Sequence, residues 1–334
     1  MQSITPYEYL LIDVASQFGH DKCTWEERID WTKENMPYLE DGIGLAKKSL
    51  LYAKAVNALR MVQRGESTNH IIGLDASASG ISVMGLLIGC EKTLKQTNLI
   101  YIDKIQDVYT NLNEEMNRHL DVEIQVIRDK SKEALMTSIY GSRQKPKDIF
   151  GDETPELTQF YAAKQELIPG TNEVAKDILS AWNPHIGSYQ WERSDGHTAK
   201  CLTRKAKNTS LRIRDIHGTR SSFTYKYMER GKPSTYSTPI VANIIQGEDG
   251  SIAAQMIRRC WKDGFNILTI HDEFKCHPNH VHQMRYNYRN ICADLYKSNH
   301  LSNILSDLLG RSVKYTQWNK DLEHEIRNSE YAIS

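Results

Sequence analysis

The spacing of apolar residues divides the chain into helical and extended stretches. Residues 1–64 read as mainly helical, and Thr24-Trp25-Glu26-Glu27 has the form of a capping box, a threonine followed three residues later by a glutamate. From Leu45 to Gln63 apolar residues recur at intervals of three and four, which predicts a long amphipathic helix broken at Gly65. His70 to Leu74 reads as a short buried strand ending in Asp75, and Asn98 to Ile102 as a second apolar strand. Helical spacing returns over Asn111 to His119 and again over Val126 to Tyr140, the latter strongly basic at its start. Residues 183–251 are rich in turn residues and poor in helical periodicity. Within them Ser210–Ile213 and Ser222–Tyr227 flank a turn at His217-Gly218, the pattern of a hairpin. Ser251 to Trp261 reads as an amphipathic helix stopped by Gly264, and Asn266 to Ile270 as a strand running into His271-Asp272. The last sixty residues look helical with a frayed end. No internal repeat or low-complexity segment is present.

Composition narrows the classes. The 334 residues carry 42 Lys+Arg against 42 Asp+Glu, a formal net charge of zero, which excludes a bulk polycation and a strongly acidic tail protein. A hydrophobic share of 40% and a charged share of 25% are ordinary for a chain that buries a core, with length for about two domains. No apolar run approaches the roughly 20 residues of a membrane helix, so no membrane contact is expected. The N-terminus lacks the basic start and apolar run of a signal peptide. Six cysteines without a CxxC pair read as free thiols in a reducing cytoplasm.

Three constellations carry candidate chemistry. Asp75 leaves a hydrophobic strand into Ala76-Ser77-Ala78-Ser79-Gly80, small residues that let the backbone turn tightly and bring a carboxylate to a ligand; a helix-capping aspartate would use the same letters. His271-Asp272-Glu273-Phe274 again sets a carboxylate at a strand end, as a hairpin turn also could. Arg128, Lys132, Met136 and Tyr140 stand four apart, on one helix face and about 6 Å per step. Two cations, a thioether and a ring in that order suit a triphosphate, a sugar and a base, or equally a solvated basic edge grading into a core edge. Residues 192–232 hold 11 Lys/Arg and 4 acids, an excess of 11 − 4 = +7, with Phe223, Tyr225 and Tyr227 alternating among them. That mixture suits base stacking and strand tracking, or a solvated basic loop. Cys276-His277-x2-His280-x-His282 does not have the spacing of a standard structural zinc site.

Taken together and in order, the three constellations resemble motifs A, B and C of the phage- and mitochondrial-type single-subunit RNA polymerases, relatives of the family A DNA polymerases. DASASGIS is similar to motif A, RDKSKEALMTSIYGS to motif B and ILTIHDEF to motif C. Gly19-His20-Asp21-Lys22 with Glu27-Arg28, and Pro239 to Ser251 with Ala242-Asn243 and Asp249-Gly250-Ser251, extend the resemblance to nearly the whole chain. It covers only the C-terminal half of the family.

The resemblance implies an α+β, largely helical right-hand polymerase fold with a small antiparallel palm sheet and helical fingers, without thumb or N-terminal domain. Its expected parts are a first palm portion over 1–92, fingers over 93–245 and a second palm portion over 246–334. It implies a DNA-dependent RNA polymerase subunit of the split heterodimeric phage type, extending RNA with rNTPs on a DNA template by two-metal nucleotidyl transfer. A second polypeptide would supply the thumb and N-terminal region, in the cytoplasm of an infected bacterial host. Two Mg²⁺ ions would be held by Asp75, Asp272 and the Ala76 carbonyl. Arg128 and Lys132 would bind the triphosphate, with Lys22 and Arg28 as further candidates beside the reading that they belong to a surface helix start. Met136 and Tyr140 would lie at the sugar, with Tyr140 reading the 2′-hydroxyl and stacking at the insertion site, Gly141 would end the helix at the template base, and His271 would support the primer terminus or nascent RNA end. Gln246 would touch the product minor groove. Lys205, Arg212, Arg214 and Tyr225 would meet nucleic acid on a hairpin resembling the family's specificity hairpin. The absence of an acid over Ser77 to Gly80, and Met136 in place of an aromatic residue, favour ribose; Glu273 and Gln246 are the spellings of a family A-like DNA polymerase or primase-like enzyme, the alternative.

Overall fold

The computed structural model describes residues 4–102, 104–183, 185–202, 204–214, 217–233 and 238–334. Helix α1 (Pro6–Ala15) starts at a Thr5–Glu8 capping box and α2 (Trp25–Glu34) at the expected Thr24–Glu27 box. Helix α3 (Ser49–Gln63) starts four residues after Leu45, because Asp41–Gly44 winds into a 3-10 turn ahead of it. Strand β1 (Ile72–Asp75) leads into α4 (Ser79–Ile88) and α5 (Glu91–Gln96). Every residue of α4 from Gly80 to Ile88 is buried, which is why it is apolar on all sides rather than on one stripe.

The strand expected over Asn98–Ile102 does not form. Asn98 adopts a positive φ of 57°, its side chain binds both the N–H and the carbonyl of Gln106, and the chain turns into a loop that still buries Leu99 and Ile100. A short-range side-chain bond here outweighs apolar composition.

Helices α6 (Val108–Arg118), α7 (Arg128–Ser138), α8 (Gln144–Phe150), α9 (Pro155–Leu167) and α10 (Pro169–Ser180) follow. Strands β2 (Ser188–Glu192) and β3 (Thr198–Leu202) form one ribbon, and β4 (Arg204–Arg214) and β5 (Arg220–Pro233) form the hairpin that the turn residues predict. Helix α11 (Thr238–Lys262) starts well before Ser251, inside the stretch read as non-helical. Ile240, Ile244, Ile252, Met256 and Cys260 recur at multiples of four and are buried, so the period was present beneath the glycines. An expected boundary between residues 245 and 246 therefore falls inside a helix.

Strands β6 (Leu268–Ile270) and β7 (Glu273–Cys276) complete a three-stranded antiparallel sheet in the order β1-β7-β6. Helices α12 (Val281–Lys297), α13 (His300–Leu309) and α14 (Glu323–Asn328) close the chain. The class is thus α+β, largely helical, with small antiparallel sheets. Helices α4, α11 and α12 pack on one another. Ile72, Leu74, Phe274 and Cys276 are the buried face of the sheet, while Gly73, Asp75, Glu273 and Lys275 alternate onto the other face.

The expected fraying of the end is not observed. Tyr331, Ala332 and Ile333 are buried, the Tyr331 hydroxyl accepts from the Trp25 N–H, and Asp75 and Ser334 exchange backbone hydrogen bonds.

Lys164 on α9 gives a stability test. It is buried, and its ammonium donates to the Ser138 carbonyl and hydroxyl at the C-terminal end of α7. Burial lowers its pKa from 10.5 to about 8. Below pH 8 the lysine is charged in both folded and unfolded chains and the full cost of burying a cation is present. Between pH 8 and 10.5 the unfolded chain still holds the proton that the folded chain has released, so stability rises with pH. Relative to Lys164→Met, the wild type should gain on the order of 3 kcal/mol across that window, read from urea midpoints. A pH-independent difference between the two proteins would refute the shift.

Candidate active site

The sheet register builds the site. Pairing of β1 with β7 sets Asp75 opposite Glu273, and the turn between β6 and β7 presents His271 and Asp272. The Ala76 N–H donates to the Asp272 carbonyl at 3.2 Å, which ties the two strand tips together. Carboxylates 272 − 75 = 197 positions apart thereby meet. Both turns are tight: Ala78 and His271 hold positive φ angles of 52° and 55°, uncommon for residues with a Cβ.

Two cavities adjoin at this point. The first, of about 530 Å³, is lined by Asp75, Ala76 and Asp272 together with five cations, Lys22, Lys47, Lys48, Arg128 and Lys132. The second, of about 670 Å³, is lined by Ser79, Gly80, Tyr140, Gln246, Asp249, His271 and Asp272 and, among the described residues, by no lysine or arginine. Ala78, Tyr109, Met136 and Asp272 belong to both walls. The face of α7 runs from one to the other, with Arg128 and Lys132 in the first cavity, Met136 in both and Tyr140 in the second. The four-residue stripe is a wall of the site, and its polarity follows the sequence order.

The electrostatics fit a hard cation at the junction. Although Asp75 opens onto the first cavity, the surrounding walls desolvate its carboxyl. Burial, then the charges of Asp272 and Glu273, push its pKa up to about 6 against the pull of Lys22 and Lys48. A buried carboxyl whose ionisation a neighbouring carboxylate makes costlier is what a divalent ion relieves. Among the described residues no three acidic, histidine or cysteine groups converge on a metal position. The protein thus offers one or two carboxylates rather than a full cage, the usual donor set for Mg²⁺ completed by phosphate oxygens and water.

Arg128 is engaged within the protein. Its guanidinium donates to Asp107 and to the Thr110 hydroxyl, and lies over the Tyr109 ring. Burial alone would raise the Asp107 carboxyl; the hydrogen bonds from Arg128 and Thr110 outweigh it and hold it low. Lys132 sits over the same ring at 5.1 Å and carries no ion pair among the described residues. Burial, with Tyr140, Asp107 and Asp272 nearby, pushes the Tyr109 hydroxyl up to about 12.

In the second cavity the Tyr140 hydroxyl lies against Gly80: a Cβ on Gly80 would stand 2.5 Å from it. Burial, and then Asp249 and Asp272, raise the Tyr140 pKa, so the hydroxyl keeps its proton. Asp249 accepts a hydrogen bond from the Ser79 hydroxyl, and burial with the Asp272 charge pushes its own pKa up to about 6.

Several expected residues lie elsewhere. Arg28 does not face the site: it is wholly buried, stacks on Trp25, and donates to the Cys23 and Asp21 carbonyls and the Ser16 hydroxyl, so it shapes the turn that carries Lys22. Gly141 lines neither cavity and holds a positive φ of 90° where α7 ends. Glu273 pairs with Lys275 at 2.8 Å on the first cavity's wall. Arg212, Arg214 and Tyr225 lie on the β4–β5 ribbon, whose packing is chiefly within itself. Lys205 is in β4, and its side chain is outside the described residues. The register divides the ribbon: Leu211, Ile213, Phe223, Tyr225 and Tyr227 share one exposed face, while Arg212, Arg214 and Arg220 share the other. The Cys276 to His282 cluster is dispersed, with Cys276 buried in the sheet, His277 bonded to the Thr68 carbonyl and His280 stacked on Phe265.

Asp107, Tyr109, Lys47, Lys48, Ser79 and Asp249 also line the two cavities, and the sequence alone does not single them out as site residues. Asp107 caps α6, a signal visible locally, but its bond to Arg128 spans 21 positions and has no local signature.

Residues 204–333 match the family model of DNA-dependent RNA polymerase. The match takes in Gln246, Asp249, His271 and Asp272 and stops short of Asp75 and the α7 stripe, which the fold brings to the same place. No curated protein matches the chain.

Proposed function

We propose that the chain is the catalytic part of a DNA-dependent RNA polymerase, extending RNA with ribonucleoside triphosphates on a DNA template. One observation carries this reading. Asp75 lines a cavity with five cations, and Asp272 borders both that cavity and a second one lined by no lysine or arginine among the described residues. A triphosphate belongs on the first side, a sugar and a growing chain end on the second, and the bond to be made lies between them. The family match over 204–333 supports the same class.

In this mechanism Asp75 and Asp272, with the Ala76 carbonyl, would hold two Mg²⁺ ions. When bound, such a pair would supply charge stabilisation to an in-line displacement at phosphorus. Lys132 takes the triphosphate charge, joined by Lys22 from the opposite wall and by Arg128 once Asp107 releases it. Tyr140 and Met136 border the sugar, His271 supports the 3′ end, and Gln246 faces the product duplex. The sheet with α11 and α12 forms the palm and residues around α6 to α10 the fingers. The basic face of the β4–β5 ribbon meets nucleic acid backbone. A second polypeptide is the proposed partner, for which Leu45 and Leu50, 80% and 82% exposed, offer apolar contact. The host is an infected bacterium.

The test is primer extension by the purified chain, with whatever polypeptide co-purifies, on a DNA template with Mg²⁺ and either rNTPs or dNTPs. Extension with rNTPs supports the reading. Preference for dNTPs favours the DNA polymerase alternative, for which Gln246 at the second cavity is the specific observation; Glu273, its other sign, is occupied by Lys275.

Lys132→Met should raise KM for the nucleotide and lower kcat together, by about 10²-fold in kcat/KM, since a positioned cation serves both binding and the developing charge. Arg128→Met should cost less in KM, because binding a triphosphate there must first break the Asp107 pair. Steady-state kinetics that rank the two variants the other way would remove Lys132 from the leading role.

A further inference from the structure

Helix α11 has two opposite polar faces. Gln246, Asp249, Gly250 and Ala253 line the second cavity. At about 100° per residue, Glu248, Ser251, Gln255 and Arg258 stand on the far side of the same turns. All four bind one segment, the turn over residues 193–197 between β2 and β3. The wholly buried Glu248 carboxylate accepts the Ser194 N–H at 3.1 Å. The Ser251 hydroxyl donates to Asp195 at 3.1 Å, Gln255 Nε2 to the Ser194 hydroxyl at 3.5 Å, and Arg258 to the Asp195 carbonyl at 3.3 Å.

Asp195 is the centre of this turn. Its side chain is 2% exposed, and its oxygens accept from Arg193 Nε and Nη2 at 3.2 and 2.7 Å, from the His197 N–H at 3.2 Å and from Ser251. Burial alone would raise its carboxyl; these bonds hold it at about 2, so it stays ionised. The Arg193 stem passes beside Gly247, where a Cβ would stand 3.5 Å from Arg193 Cδ. The turn is anchored in its own right to α13: Glu248 meets His300 Nε2 at 3.2 Å, and the Glu192 N–H donates to Asp307 at 2.9 Å.

Two buried carboxylates are a costly way to hold a helix. Apolar side chains of similar volume are often neutral or stabilising in place of a buried ion pair, so stability alone does not account for them. Geometry does. Packing of α11 against α4 and α12 through Ile240, Ile244, Ile252 and Met256 is apolar and non-directional, whereas a hydrogen bond weakens steeply away from its preferred angle. Gly247 and Gly250 loosen the helix where its direction matters most for the cavity.

We infer that Arg193 and Asp195 are positioning residues: from behind α11 they fix its rotation about its own axis and so hold Gln246 against the growing duplex. The inference rests on the polymerase reading and deepens it. The clasp acts on the second cavity through α11, and none of its bonds reaches the residues of the first.

The test compares wild type with Asp195→Asn, which keeps the shape and removes the charge facing Arg193, and with the triple variant Arg193→Met, Asp195→Leu and Ser251→Ala, which removes the clasp without leaving its charges or the serine hydroxyl unpaired. Each is used as the full chain with any co-purifying polypeptide. Binding of a fluorescent DNA template annealed to an RNA primer, and of ATP with Mg²⁺, is measured beside steady-state extension and Tm. In both variants Kd and KM for primer–template should rise about tenfold or more, on the way to the 10²-fold that an ångström of misplacement costs at a reacting centre. Kd and KM for ATP should not change, and the triple variant should keep the wild-type Tm. Unchanged primer–template constants in a triple variant of wild-type Tm overturn the inference, since the clasp is then packing only. An equal loss for both ligands overturns it as well. If the triple variant does not fold, Asp195→Asn and Ser251→Ala decide by the same split between ligands. A wild type that binds primer–template and extends nothing defeats the proposed function, and the two binding constants still decide whether the clasp sets α11; a wild type that binds no primer–template overturns the inference.

Discussion

Asp272→Asn is expected to reduce RNA synthesis by about 10³-fold or more, and Asp75→Asn to do the same, because a bound metal ion supplies several kcal/mol of transition-state stabilisation at 1.36 kcal/mol per decade of rate. Asparagine keeps the shape and removes the charge. The Ala76 N–H is bonded to the backbone carbonyl of residue 272, so the tie between the strand tips survives the change. Stability should move the opposite way. Burial and the charge of Asp272 both raise the Asp75 pKa, so neutralising residue 272 relieves a repulsion in the metal-free protein and should raise Tm slightly. A variant that is more stable and still binds template, but is inactive, is the expected combination. Retained activity in either variant would remove the two-carboxylate assignment; lost activity with a lowered Tm would point to misfolding instead.

The second large effect concerns a residue that does no chemistry. Gly80→Ala should lower kcat/KM for nucleotide incorporation by about 10²-fold, the scale of an ångström of misplacement at a reacting centre. The new Cβ would stand 2.5 Å from the Tyr140 hydroxyl and 3.2 Å from its ring carbon Cζ. The ring must withdraw from its place above α4. Fold stability should hardly change, since alanine in a helix gains about 1 kcal/mol over glycine and offsets the crowding. Gly80→Ala combined with Tyr140→Phe removes the closest atom and should recover part of the loss relative to Gly80→Ala alone, with the sugar preference absent. Single-turnover incorporation and thermal unfolding of the four proteins in the cycle check this. Strict additivity of the two substitutions would show that they do not meet.

These two sites differ in how far the chain alone reveals them. Asp75 and Asp272 were legible because each ends a short apolar run, a pattern set by near neighbours. Their meeting was not; antiparallel pairing across 197 positions leaves no local period, and only the ordered resemblance of three motifs implied it. The α7 stripe was legible in spacing and ambiguous in meaning; the fold lays it along two cavities of different polarity. Arg28 misled because a basic residue in a polar segment reads as exposed, whereas backbone carbonyls of its own turn enclose it. The missed start of α11 has another cause. Gly247 and Gly250 lower helix propensity locally, and burial against α4 and α12 overrides them.

The lysines of the first cavity are not equivalent in water. Lys22, Lys47 and Lys48 are exposed at its rim, whereas Lys132 is half-buried against Tyr109. At 0.15 M ionic strength the field of an exposed charge fades over about 8 Å, and a partly buried charge is screened far less. Dissolved salt therefore acts mainly on the rim. On the proposed polymerase reading it would slow the arrival of a triphosphate and hasten the departure of pyrophosphate, while the grip on a nucleotide already seated would be little altered. The cavity is a charge gradient whose outer half responds to the ionic medium and whose inner half does not.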